Sequence, residues 1–116
     1  MAEFKHGQLL RIFIAEHATW RGCSLHAALV DLLHRENIAG ASVFRGVEGI
    51  GSRHEIHAAK VFALGGNLPV LIEVVDDEEK IAALIPKIEP MIGDGTLTLE
   101  RVEYCRFSKP AARGAH

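Results

Sequence analysis

Three short patterns in the chain combine residue types and spacings that chemistry could use. Gly49-Ile50-Gly51 sets two glycines around one apolar residue, and glycine lets backbone take positive φ or come close to a ligand. Gly93-Asp94-Gly95 has the composition of a turn. His54-Glu55-Ile56-His57 puts two imidazoles three residues apart with a carboxylate beside them, a donor set that can bind zinc, copper or nickel. The plainer alternative is that both histidines are solvated. Their spacing is not the H-E-x-x-H of zinc proteases, whose ligands lie four apart on a helix. Cys23 and Cys105 are too far apart for a C-x-x-C motif, and neither has a base beside it in sequence to make it a nucleophile. With no Ser-His-Asp pattern, Walker loop or paired carboxylate site in view, the chain is not expected to be an enzyme.

These patterns sit around a long connection. Ala41–Val47 reads as a strand leading to Gly49, and Pro69–Val75 as a nearly all-apolar strand. The stretch from Ser52 to Leu68 between them far exceeds the roughly two to five residues a hairpin needs, and such loops are usually functional or disordered. Upstream, Leu9–Glu16 reads as a central strand with apolar residues on both sides. Ser24 is placed to cap a helix carrying Leu25, Ala28, Leu29, Leu32 and Leu33 at helical spacing and ending near Asn37. Downstream, Asp76 and Asp77 offer an N-cap, with Glu78 and Glu79 where the helix dipole favours acids. Ile81, Leu84, Ile85, Ile88 and Ile92 form the apolar stripe, and Pro86 and Pro90 predict a kink or an early end. Thr96–Phe107 alternates as a last strand.

The order βαββαβ folds most simply as an α+β ferredoxin-like domain, a four-stranded antiparallel sheet with both helices on one face. It spans residues 8–107, with 1–7 and 108–116 as frayed ends. Because both sides of the Pro69–Val75 strand are apolar, something should cover the second face, and another copy of the chain is the expected cover.

The chain has 116 residues, with 13 Lys+Arg against 15 Asp+Glu and a formal charge of -2. It lacks the basic run that tracks a phosphate backbone, so nucleic acid is not expected as a partner. Nothing resembles a secretory signal or a membrane span, and a cytoplasmic protein with reduced thiols is expected. Trp20 reads as a packing anchor, with base stacking as the alternative. Arg45 and Glu48 read as an ion pair or subunit contact, with a ligand contact as the alternative.

The order of elements, the Gly-x-Gly, the Leu-Pro before an apolar strand, Ile72-Glu73-Val74-Val75-Asp76-Asp77 and Ile92-Gly93-Asp94-Gly95 together resemble the P-II signalling proteins. Gly40 to Gly46 and on through Gly49-Ile50-Gly51 is similar to family 190 of the domains of unknown function, itself similar to P-II in fold. The resemblance implies a homotrimer whose sheets line its core and whose lateral clefts bind an adenine nucleotide. It further implies that the 52–68 loop contacts a target protein, a membrane transporter or an enzyme. Carried over by position, the effector site is Gly49, Gly51, Ser52 and Arg53 at the hinge, with Gly93, Asp94, Gly95 and Thr96 on the phosphate side. P-II proteins place a lysine where Thr96 stands, a charge-assisted phosphate contact worth about 1.5–3 kcal/mol; Arg53, Arg106 and Lys109 are the alternative cations. The loop tyrosine that some members modify has no counterpart here. The competing expectation is a divalent-metal-binding protein similar in architecture to the copper-tolerance protein CutA, using His54 and His57.

Overall fold

The computed structural model describes residues 2–50, 56–58 (main chain only) and 67–109. In chain order the elements are β1 (Lys5–Ala15), β2 (Thr19–Trp20), β3 (Cys23–Ser24), α1 (Leu25–Arg35), β4 (Ala41–Arg45), β5 (Glu48–Ile50), β6 (Ile56–Ala58), β7 (Pro69–Asp76), α2 (Glu78–Ile88), a 3-10 turn at Glu89–Met91, and β8 (Thr96–Tyr104). Four strands make one antiparallel sheet in the order β4-β7-β1-β8, while β2–β3 and β5–β6 are small hairpins. This is the expected ferredoxin-like layout.

Alternation along the strands decides which face the helices cover. Leu10, Ile12 and Ile14 of β1 and Val70, Ile72 and Val74 of β7 are buried with the apolar stripes of α1 and α2. Their neighbours Leu9, Arg11, Leu71, Glu73 and Val75 point the other way and stay half-buried. Arg11, in the middle of that open face, bonds Glu73 at 2.8 Å and Glu100 at 2.7 Å, tying β7, β1 and β8 together. The Glu73 hydrogen bond, with Glu100 adding to it, raises the guanidinium above its ordinary value.

Several boundaries differ from the sequence expectation. β1 starts at Lys5 because Lys5, His6 and Gly7 pair with Tyr104, Glu103 and Val102, so these three are not frayed. β4 stops at Arg45 and β8 at Tyr104. α1 ends at Arg35: Asn37 turns left-handed (φ 59), and Ile38 N–H bonds the Leu33 carbonyl at 3.1 Å, closing a Schellman motif. Ser24 holds the N-cap position without capping; its buried hydroxyl finds no partner among the described residues. Asp77 precedes α2 as expected, but its carboxylate accepts from the Tyr104 hydroxyl instead of capping. α2 runs through Pro86 to Ile88, and Pro90 falls in the 3-10 turn. Trp20 packs on the core with Arg21 stacked 4.8 Å from its ring. Cys105 is half-buried and Cys23 exposed. No helix among the described residues is long and apolar enough to cross a membrane.

Ile72 is fully buried between Ile12 and Val43 in the ladder, so Ile72→Ala should lower stability by about 2–5 kcal/mol in urea unfolding. The hydrogen bond to Asp77, helped by partial desolvation, raises the Tyr104 phenol above its ordinary value. A folded-state value above the unfolded one stabilises at lower pH and is lost as pH climbs through it. Thermal midpoints above about pH 10 should therefore fall more steeply for the wild type than for Tyr104→Phe.

Candidate functional site

One end of the sheet gathers the pieces the sequence singled out. β1 finishes there with Ile14 and Ala15 opposite Val70 and Pro69, while β8 begins with Thr96 opposite Phe13. Above them lies a cleft of about 470 Å³, lined by Phe13, Ile14, Ala15 and Pro69, by Glu48, Gly49 and Ile50 of β5, and by Asp94, Gly95 and Thr96. Volumes of this order suit a small molecule. The hinge residue Gly49 and the turn residues Asp94, Gly95 and Thr96 thus share one cavity, with Gly93 next to them in the turn. Gly51, Ser52, Arg53 and His54 lie outside the described residues. His57 pairs with Gly49 through the main chain of β6.

The glycines serve close packing. A Cβ on Gly49 would stand 2.9 Å from Pro69 Cγ, one on Gly46 2.6 Å from the same atom, and one on Gly95 2.7 Å from the Phe13 carbonyl oxygen. Among the described residues positive φ occurs at Arg21, Gly22 and Asn37, so neither Gly49 nor Gly95 uses the left-handed backbone that an anion nest requires. Hydrogen bonds complete the clamp. Gly46 N–H donates to the Pro69 carbonyl at 2.7 Å, Glu16 N–H to the Leu68 carbonyl at 2.8 Å, and His17 N–H to Asn67 Oδ1 at 2.7 Å. The Arg45 guanidinium pairs with the Glu16 carboxylate. The end of β4 and the residues leading into β7 are therefore tied to the end of β1.

The model of the family DUF190, described as "Uncharacterized ACR", matches residues 7–104. A UPF0166 protein of Aquifex aeolicus is 38% identical over 96 residues, 83% of this chain and 90% of that protein. The chain belongs to the DUF190 family. A UPF0166 protein of Methanocaldococcus jannaschii is 35% identical over 92 residues, covering 79% of this chain and 84% of its own length. Among solved structures, CPII of Thiomonas intermedia K12, a nitrogen regulatory PII-like protein bound to ADP, AMP and bicarbonate, superposes with a TM-score of 0.71 at 16% identity, covering 91% of this chain and 94% of CPII. A protein of Thermus thermophilus described as PII-like signalling gives 0.63 at 17% identity over 88% of this chain and 92% of its own. The fold of this chain is PII-like.

The charged side chains among the described lining residues of this DUF190 cleft are Glu48 and Asp94, both acidic. Thr96 contributes a hydroxyl where the P-II resemblance places a lysine. Of the alternative cations, Arg106 is committed at the other end of the sheet, donating to the Val75 carbonyl and stacking 5.2 Å from the Tyr104 ring. Lys109 is exposed. No group of three His, Cys, Asp or Glu side chains suited to a metal occurs among the described residues. Sequence reasoning found Gly49 and Gly95 but missed their partners, Pro69 and the Phe13 carbonyl. The one local signal was Pro69 at the first residue of a strand, a position proline tolerates.

The packing gives a direct test. Gly49→Ala should destabilise the DUF190 chain through its clash with Pro69, and Pro69→Ala should relieve part of that loss. A double-mutant cycle in urea should show a coupling of about 0.5–3 kcal/mol. Gly95→Ala meets a backbone carbonyl, so Pro69→Ala should leave its cost unchanged.

Proposed function

We propose that this DUF190 protein is a PII-like regulator that binds an adenine nucleotide in the cleft between Gly49 and Asp94–Thr96 and reports its occupancy to a target protein through residues 52–68. The single cavity uniting the hinge with the turn carries the reading. The adenine ligand is taken from the resemblance to P-II proteins and from CPII, which is described with ADP and AMP. In this reading the site binds and senses; it does not turn substrate over. A nucleotide that contacts the loop base differently in two loop states shifts their populations by its differential affinity, and target binding follows.

A homotrimer belongs to the same reading. The open sheet face presents Phe13 at 41% exposure and Phe44 at 49%, together with the half-buried Leu9, Leu71 and Val75. Apolar surface of this kind marks an association site, and packing of three such faces would place each cleft beside a neighbouring copy.

Thermal shift with AMP, ADP, ATP and cyclic AMP, alongside sedimentation equilibrium, tests both halves. The expected result is a species of three chain masses, stabilised by at least one nucleotide by about 2.7 kcal/mol at a hundredfold excess over its Kd. Replacing Phe13 and Phe44 by Asp should give monomers. A wild-type monomer indifferent to every nucleotide would refute the reading.

A further inference from the structure

We propose that Arg45, held by Glu16, is the cation that meets the phosphate of a nucleotide in this cleft. The inference deepens the nucleotide reading above and rests on it. A phosphate entering the cavity faces the carboxylates of Glu48 and Asp94 on the described walls, and like charges at close range oppose binding. A guanidinium near the cavity would offset that repulsion.

Arg45 and Glu16 are not themselves wall residues, but each is joined to residues that are. Arg45 is the last residue of β4 and directly precedes Gly46, whose N–H is bonded to the carbonyl of the wall residue Pro69 at 2.7 Å. The next element, β5, supplies the wall residues Glu48, Gly49 and Ile50. Its partner Glu16 directly follows the wall residue Ala15, and its N–H is fixed to the Leu68 carbonyl. The ion pair thus bridges two segments that each build part of the cavity.

Exposure argues which partner holds and which presents. The Glu16 side chain is 15% exposed and that of Arg45 64%. Leaving a largely buried carboxylate unpaired is costly, so Arg45 stays with Glu16 when ligand arrives. The Glu16 contact uses one terminal nitrogen of a group that carries five donors in a rigid fork. The remaining N–H groups can bridge from Glu16 to a phosphate oxygen, which makes Glu16 a positioning residue. Ligand occupancy then stiffens the junction of β4 with the hinge, where the long connection starts.

Calorimetric titration of ADP and adenosine into wild type, Arg45→Gln, Glu16→Gln, Arg45→Lys and the double variant Arg45→Gln/Glu16→Gln tests this. Circular dichroism and oligomeric mass confirm folding, and the double variant removes the unpaired carboxylate that could unfold Arg45→Gln alone. ADP affinity should fall about tenfold or more in Arg45→Gln and in the double variant, with adenosine affinity nearly unchanged. Glu16→Gln should lose less, and Arg45→Lys should recover part of the loss. Wild-type ADP affinity in the folded double variant, or equal losses for ADP and adenosine, would overturn the proposal while leaving the cleft reading intact. A wild type that binds neither ligand would overturn both.

Discussion

The two-sided pairing of β1 is the constraint on which the rest depends. β1 is laddered to β7 from Gln8 to Ala15 and to β8 from Lys5 to Phe13. Buried and open positions alternate so strictly that a slip of one residue would drive Arg11 under the helices and expose Ile12. The two ladders are also offset. β8 enters opposite Phe13, leaving Ile14 and Ala15 paired with β7 alone. The uncovered flank of those two residues forms part of the cleft floor, and the Gly93–Thr96 turn closes over it because Gly95 lies against the Phe13 carbonyl.

Arg11 shows how the open face combines polarity with apolar surface. Its bonds to Glu73 and Glu100 are made within one chain, at side-chain exposures of 32%, 32% and 57%. In a lone subunit such wet ion pairs add little stability. Once another surface covers them, dehydration strengthens the attraction and raises the cost of any misfit. A covering copy would find Arg11 already engaged, and must accommodate one guanidinium with two carboxylates. In such a dock the network would disfavour wrong arrangements more than it would drive association.

Legibility in the sequence followed the range of the forces involved. The helices and the inner strands β1 and β7 were readable because the apolar periodicity at Leu25–Leu33, Ile81–Ile88 and Val70–Val74 reflects burial that each segment signals locally. Lys5–Gly7 was not, since these polar and small residues become strand only through Val102–Tyr104 at the other end of the chain. The β5–β6 hairpin is local, pairing Ile50 with Ile56, but each strand is only 3 residues long, too short for an alternation to show. Gly49 and the Asp94–Thr96 turn line one cavity, yet the reason for Gly49 and Gly95 lies in Pro69 and in the Phe13 carbonyl, partners that spacing cannot reveal. The Arg45–Glu16 pair spans two strands that are not neighbours in the sheet, and no local pattern points to it.

The placement of β1 at the centre of the sheet sets the order in which the chain can fold. Its inner partner β7 and outer partner β8 are both synthesised after α1 and the long connection, and the Arg11–Glu100 contact joins residues 89 apart. During synthesis β1 therefore waits with both edges unpaired, and such edges are templates for association with other chains. Contacts this distant in sequence also slow the search for the native state. By contrast, lengthening the connection between β4 and β7 is thermodynamically mild, since doubling a flexible loop costs only about 0.6 kcal/mol. Relatives can thus elaborate the segment between hinge and sheet with little loss of stability, while β8 keeps the final closing step.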